Sequence, residues 1–356
     1  MKIAFYDPYL DTMGGGEKYM LTAALSLAKD NEIFIFWDKD YELIRERAKQ
    51  RFNFDLAKVK FVQNIFSPRF SIFKRMVLSR NFDAIVYLSD GSLPFLITKK
   101  LIVHFQFPVE WVKNDFLTKI KMRNINKVIC NSYFTKSYID KKFGIKSSVL
   151  YPPCQLAKKI ISDKVNQILT VGRFNKNKNG GNFKKHDFLI ETFKKMVDEG
   201  IKNWVFNIAI SFKEEDKDQI KGLENLAKGY PINIYKNVND ETLKNLYSKA
   251  KIYWHASGFK EDLNFHPELA EHFGIATVEA MSYGAVPIVI KAGGQIEIVE
   301  DSKNGYLWQT QAQLVEKTEK LINDNTLLKQ ISNGAIERSQ NFGLKAFTKG
   351  ITHFLE

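Results

Sequence analysis

The sequence predicts an α/β protein made of two Rossmann-like domains, on three observations. Short apolar runs of strand length alternate along the chain with amphipathic runs of helix length. The strand-like runs are almost strictly apolar, which suits parallel sheets covered by helices on both faces. At 356 residues the chain exceeds the usual size of one core, and the alternation falls into two sets of similar length.

The first set opens with a strand over residues 2–6, closed by the turn at Asp7-Pro8. The periodic run 19–28 reads as a helix and 32–37 as a β-rich strand, which completes a βαβ unit. Buried strands are expected at 84–88, 101–105 and 127–130. Tyr151-Pro152-Pro153 closes the set, and the weakly periodic stretch to about Asn166 reads as a linker. The second set has strands at 167–171, 204–210, 232–235, 252–255 and 286–290, and helices at 186–199, 240–250 and 277–283. The domains are therefore placed at 1–155 and 156–339, facing a cleft, with ligands near the carboxyl ends of the strands.

Composition narrows the function classes. With 44% hydrophobic and 26% charged residues the chain is of ordinary globular type, and no run approaches the roughly 18 to 20 apolar residues of a membrane span. The apolar start breaks too early for a signal peptide, so export is not expected. Cys130 and Cys154 have no metal-site or disulfide-framework spacing, which fits a reducing compartment. The formal charge is +13, and residues 1–150 hold 25 basic and 15 acidic side chains against 28 and 25 in the rest. Such a field favours an anionic partner: nucleic acid, a phospholipid surface or a phosphorylated small molecule.

Three segments could carry chemistry. Gly14-Gly15-Gly16, between the first strand and helix, lets a phosphate approach backbone N–H groups at a helix start, or is a flexible turn without ligand. The dinucleotide pattern G-x-G-x-x-G needs a glycine where Tyr19 stands, although Asp38 or Asp40 could serve as its acid. Arg173 ends the first strand of the second domain, and a lysine beyond it could grip a diphosphate from the other side. Residues 176 and 178 of that Lys-rich loop read better as solvated. Finally, Glu271 and Glu279 flank a loop-to-helix transition whose N–H groups, from Phe273 to Ala276, would point at an anionic or hydroxyl-rich ligand. Two surface charges are the bland alternative. His255, His266 and His272 lack helical zinc spacing, so no metal site is expected.

Glu271-His272-Phe273-Gly274-Ile275 with Glu279-Ala280-Met281, then Gly284-Ala285-Val286-Pro287 and Gly293-Gly294, resembles the E-x7-E donor-site signature of the family 4 retaining glycosyltransferases with the GT-B fold. The wording is closest to mannosyltransferases that extend lipid-linked oligosaccharides. Gly14 to Glu17, Asn131 to Thr135, Tyr151 to Pro153, Gly172-Arg173-Phe174 and Asn304-Gly305 extend the match, in order, over essentially the whole chain.

The resemblance implies a role for each matched position. Glu279 would accept hydrogen bonds from the ribose hydroxyls, and Glu271 would touch the transferred sugar. Arg173 and a lysine would hold the diphosphate; Lys184 is preferred, with Lys178 and Lys185 as competitors because residues 177–182 lengthen the usual spacing. Backbone N–H groups of Gly274, Ile275 and Ala276 would meet sugar and phosphates, and Gly15 and Gly16 would close over the diphosphate. His104 resembles the N-domain histidine beside acceptor and sugar, although by itself it reads as a core residue. The base would lie near Asn237 and Val238.

The expected reaction is metal-independent transfer of a hexose, with retention, from a nucleotide diphosphate sugar to a hydroxyl of a glycan or polyprenyl-linked acceptor. GDP-mannose is the preferred donor, a UDP-hexose the runner-up, and no cofactor is implied beyond this co-substrate. The leaving phosphate would act as base, with double inversion through Glu271 as the rival. A nicotinamide oxidoreductase and a basic nucleic-acid-binding protein are the other classes; the latter lacks any recognised motif, so nucleic acid is not expected. The basic, aromatic run 66–80, with 113–127 beside it, could lie on an anionic membrane or turn its apolar face to the core. Localisation is expected to be cytoplasmic, at most peripheral on the inner membrane face. A helix over about 340–356 would cross back to the first domain.

Overall fold

In the computed structural model the first apolar run forms β1 (Lys2–Tyr6), and the chain continues through α1 (Gly15–Leu27), β2 (Glu32–Phe36), α2 (Tyr41–Phe52), β3 (Val59–Val62), α3 (Ile72–Ser79), β4 (Ala84–Ser89), β5 (Lys100–Phe105), α4 (Phe116–Asn124), β6 (Lys127–Cys130), α5 (Tyr133–Phe143) and β7 (Ser148–Val149). Residues 1–159, 163–174 and 182–355 are described. Helix starts follow local chemistry: Asp40, Ser71, Asp115 and Ser132 each accept a first-turn backbone N–H, from α2, α3, α4 and α5 in turn.

These strands make one parallel sheet in the order β3-β2-β1-β4-β5-β6-β7. Alternation sorts the strand residues between two cores. Ile3 and Phe5 of β1 face one apolar cluster with α1, and Ala4 faces the other with Phe105, Ile139 and Phe143. Both faces are covered, which is why β4 and β5 are almost wholly apolar.

The second unit runs through β8 (Val165–Arg173), α6 (His186–Asp198), β9 (Val205–Ser211), α7 (Lys217–Ala227), β10 (Ile232–Lys236), α8 (Asp240–Lys249), β11 (Ala250–His255), α9 (Ile275–Ser282), β12 (Val286–Ile290), α10 (Gln295–Ile298), β13 (Tyr306–Trp308), α11 (Gln311–Asn323) and α12 (Asn325–Ser339). Its parallel sheet has the order β10-β9-β8-β11-β12-β13. Ile168, Ile252, Trp254 and Ile288 fill one face, and Leu169, Ala209 and Tyr253 the other.

The chain ends in α13 (Leu344–Leu355), which belongs to the first unit. Its buried Phe347, Ile351 and Leu355 join the cluster on α1, Tyr19 meets Phe347 edge-on at 4.9 Å, and Ser26 Oγ lies 3.0 Å from Thr348 Oγ1. Each such apolar side chain contributes about 1.5–3 kcal/mol of burial. The units are therefore Met1–Pro153 with Leu344–Glu356, and Cys154–Gly343. Charge divides with them: 27 basic and 16 acidic residues in the first, 26 and 24 in the second. Among the described residues no helix is long and apolar enough to cross a membrane.

Candidate active site

In the second sheet β8 and β11 are neighbours from which the chain winds in opposite directions, a topological switch point where α/β sheets bind ligands. Arg173, exposed, ends β8, and His255 ends β11. Beside Arg173 the chain is tightly covered, because a Cβ on Gly172 would sit 3.0 Å from Lys184 Cγ. The lysine stem thus lies across the end of β8.

Lys184 and Lys185 immediately precede α6. Two ammonium groups at a helix N-terminus oppose its dipole, and each is offset by a carboxylate. Lys184 pairs with Glu271 and Lys185 with Glu261, all four side chains 18–21% exposed. Asn182 Oδ1 fixes the turn by accepting the Lys184 N–H at 3.0 Å, and Lys185 takes the left-handed conformation, φ 56°. Lys184 is thus the lysine that reaches Glu271, while Lys185 is engaged with Glu261. Residue 178 lies outside the described residues.

Glu271 Oε2 also accepts from His255 Nε2 at 3.0 Å. Burial pushes the Glu271 carboxyl up, but the Lys184 ammonium and the His255 hydrogen bond outweigh it and hold the group well below the usual carboxylate range. Burial lowers His255 in turn, only partly offset by Glu271, so its imidazole stays neutral at physiological pH.

The loop carrying Glu271 is held by two glycines after β12. Gly294 N donates to Glu271 O at 2.8 Å; a Cβ on Gly293 would sit 2.3 Å from Glu271 O, and one on Gly294 2.4 Å from Phe273 Cα. The loop then turns at Gly274, φ 124°, into α9, whose first amides, from Ile275 and Ala276, have no intrahelical acceptor. Phe273 is buried and packs on Phe342, so only its backbone is available to a ligand.

Glu279 is the fifth residue of α9 and points elsewhere: Tyr247 of α8 donates its hydroxyl to Glu279 Oε2 at 3.2 Å. Asp240, Leu243, Lys244 and Tyr247 of α8 line a depression with Glu279 and Tyr283. Asn237, φ 46°, follows β10; its Oδ1 accepts the Phe212 N–H at 2.9 Å and ties two strand ends together, with Val238 half-buried beside it.

In the first unit, Glu17 accepts hydrogen bonds from Gly14 N and, at 2.9 Å, from Thr12 Oγ1, closing the glycine turn from inside. Gly15 is exposed, while a Cβ on Gly16 would sit 2.4 Å from Gln106 Oε1. His104 lies in the core of the first unit. That side chain is 1% exposed within β5, stacked on Tyr19 at 4.0 Å, and its Nδ1 donates to Ile129 O at 3.2 Å. Burial lowers its pKa to about 3, so it is a neutral core group. Gln106, two residues on and past the strand end, is the side chain that meets the glycine turn, donating to Gly16 O at 3.3 Å.

Two doubly wound parallel sheets, the second with cations and carboxylates gathered at its switch point, are the architecture of the glycosyltransferases of the GT-B class, and comparison with known proteins assigns the chain to it. The chain belongs to the glycosyl transferases group 1, which its residues 155–338 match. It is 26% identical over 426 residues to the alpha-1,3/1,6-mannosyltransferase ALG2 of Candida glabrata, spanning 98% of this chain and 91% of the relative. It is 24% identical to the GDP-Man:Man(3)GlcNAc(2)-PP-Dol alpha-1,2-mannosyltransferase of Caenorhabditis elegans, over 99% and 88% of the two chains. Among solved structures, Anabaena HepE in complex with UDP and glucose superposes with a TM-score of 0.68 at 18% identity, covering 100% and 99%.

Proposed function

We propose that the chain transfers mannose from GDP-mannose to a hydroxyl of a polyprenyl-linked glycan, with retention and without a metal. The observation that carries this reading is the Lys184–Glu271 pair at the switch point, beside the strand end that carries Arg173, in a chain similar over nearly its full length to mannosyltransferases, one of whose names specifies GDP-Man and a PP-Dol acceptor. Arg173 and Lys184 stabilise the departing diphosphate, and a leaving phosphate oxygen takes the acceptor proton. Glu271 stands beside the sugar as a carboxylate, Glu279 accepts from the ribose hydroxyls, and the α9 amides meet the phosphates.

A screen of nucleotide sugars for thermal stabilisation tests the donor: GDP-mannose should raise Tm most, and a larger shift with UDP-hexoses would replace it. The UDP-hexose reading is supported by the Anabaena neighbour's ligands and by 25% identity to a Campylobacter jejuni N-acetylgalactosaminyltransferase that acts on an undecaprenol-linked glycan. An inverted anomeric carbon in the product would reject retention, and activity abolished by EDTA would reject metal independence.

A lipid-linked acceptor asks for a membrane face, and the first unit supplies a fitting one. In α3, Ile72 and Phe73 are 66% and 75% exposed beside Lys74; around α4, Trp111, Phe116 and Leu117 are 61–75% exposed beside Lys113 and Lys119. Ser79 and Asn124, near the ends of the two helices, bond the adjacent amides of Ile97 and Leu96, so the helices flank one loop. Exposed aromatics among lysines match an anionic lipid surface, which would hold the enzyme peripherally on the cytoplasmic face.

A further inference from the structure

Glu271 takes both of its strong hydrogen bonds on one oxygen, Oε2, from Lys184 Nζ and from His255 Nε2. The two donors differ in what else they can do. Lys184 is a flexible ammonium lying across the end of β8, where any bound diphosphate would compete for it. His255, 4% exposed at the end of β11, has nowhere else to go.

The hydrogen bonds fix both tautomers behind this carboxylate. An ionised Glu271 only accepts, so the His255 proton is on Nε2 and its Nδ1 is a bare acceptor. Behind it lies His186, fully buried at the first residue of α6. Asn182 Oδ1 is taken by the Lys184 N–H, so it is the Asn182 amide nitrogen that faces His186 Nδ1 at 2.8 Å. His186 Nδ1 therefore accepts and its Nε2 carries the proton. His186 Nε2 and His255 Nδ1 are both buried with no hydrogen-bond partner among the described residues. One ring offers a spare donor and the other a spare acceptor, and they are near enough that charge on His255 disfavours charge on His186. A single water between a spare donor and a spare acceptor of this kind satisfies both.

We propose that His255, backed by His186, is the positioning residue of Glu271, holding the carboxylate in place when Lys184 turns from it to the donor diphosphate. This rests on the reading of Glu271 as the carboxylate beside the transferred sugar. A glutamate held by the lysine alone would swing free once the lysine left, and a misplacement of about 1 Å costs roughly 100-fold in rate. A neutral imidazole keeps Glu271 oriented without cancelling its charge. The charged and titratable groups around His255 are Glu271, Lys184 and His186.

Steady-state kinetics and 15N NMR on the full chain test this. His255→Phe, which keeps a ring but removes the donor, should lower kcat about 10- to 100-fold with donor KM within about threefold. His255→Gln, which restores an N–H near the Nε2 position, should recover most of the loss. In the wild-type chain His255 should be neutral with its proton on Nε2, a readout that stands even where a variant fails to fold. Near-normal kcat in His255→Phe, no rescue by glutamine, or an Nδ1–H tautomer would overturn the proposal. Glu271→Gln separates the two readings: full turnover in that variant removes the role of Glu271 itself, whereas a crippled Glu271→Gln beside an unimpaired His255→Phe removes only the positioning.

Discussion

Tyr247 donates its hydroxyl to Glu279 Oε2 at 3.2 Å, and this bond sets the direction of the carboxylate assigned to the ribose. Burial and the neighbouring Glu279 charge hold the Tyr247 phenol well above its ordinary pKa, so it remains a donor at every working pH. Tyr247→Phe should raise donor KM about three- to tenfold, the worth of one hydrogen bond to a charged group, with kcat within about twofold. Glu279→Ala should raise it further. Initial rates against donor concentration check both, and an unchanged KM in the two variants would remove Glu279 from the donor site.

Arg173 and Lys184 act on the leaving diphosphate, so their loss should appear in kcat. Arg173→Ala and Lys184→Ala should each lower it about 100- to 1,000-fold while the far-UV spectrum stays near wild type. Lys184→Ala has a second consequence. Lys184 is the largest influence lowering Glu271, so without it the carboxyl titrates at higher pH. The acid limb of the kcat/KM profile, which reports the chain without donor, should therefore move up in pH, whereas a limb that stays in place would mean that Glu271 need not be ionised.

How much of this was legible in the sequence depended on how locally each feature is encoded. The strands of the two central βαβ units stand out because both faces are buried; Glu271 and Arg173 lie at breaks between a strand and a helix that the pattern shows, and Glu279 lies one turn into the helix that follows. The four-residue β3, with Lys60 in it, and the three-residue β13 are too short to carry a period. Gln106, just past the end of β5, has no legible partner in the sequence, because only its approach to Gly16, 90 positions earlier, gives it one. His255 lies in an apolar strand, and only its approach to a residue 16 positions on gives it meaning.

Asp7, just after β1, makes stability depend on pH. Burial, reinforced by the Glu17 charge, raises its carboxyl from 3.8 to about 8. Between those values the folded chain binds a proton that the unfolded chain does not, so this group's contribution falls as pH rises and is fully lost above about 8. The span corresponds to a few kcal/mol. Asp7→Asn should thus melt higher than wild type at pH 9, with the gap closing towards pH 4. An equal gap at both pH values would show that Asp7 titrates normally.

The apolar and basic side chains of α3 and α4 predict binding to vesicles containing anionic lipid. Replacing Phe73 and Phe116 by Ser should weaken it at all salt concentrations, because it removes inserted apolar area. Exchanging Lys74 and Lys119 for Glu should weaken it chiefly at low salt, where each cation contributes about 1 kcal/mol. Sedimentation with anionic and with neutral vesicles measures both effects, and equal recovery with the two lipids would leave the charge without this role.

Glycines give the most local test of how the Glu271 loop is held. Gly293, φ 58°, and Gly294 both lie against the backbone of residues 271–273, which cannot yield as a side-chain tip would. Gly293→Ala adds a left-handed strain of about 1 kcal/mol to a 2.3 Å approach to Glu271 O, so it should both destabilise the chain and displace the carboxylate. Gly222, exposed within α7, has nothing within 4 Å of its added Cβ, and Gly222→Ala should stabilise by about 0.5–1 kcal/mol through helix propensity. Urea melts of the two variants should move in opposite directions, with turnover lost only in Gly293→Ala. Wild-type turnover in that variant would show that the loop finds its geometry without the glycine contact.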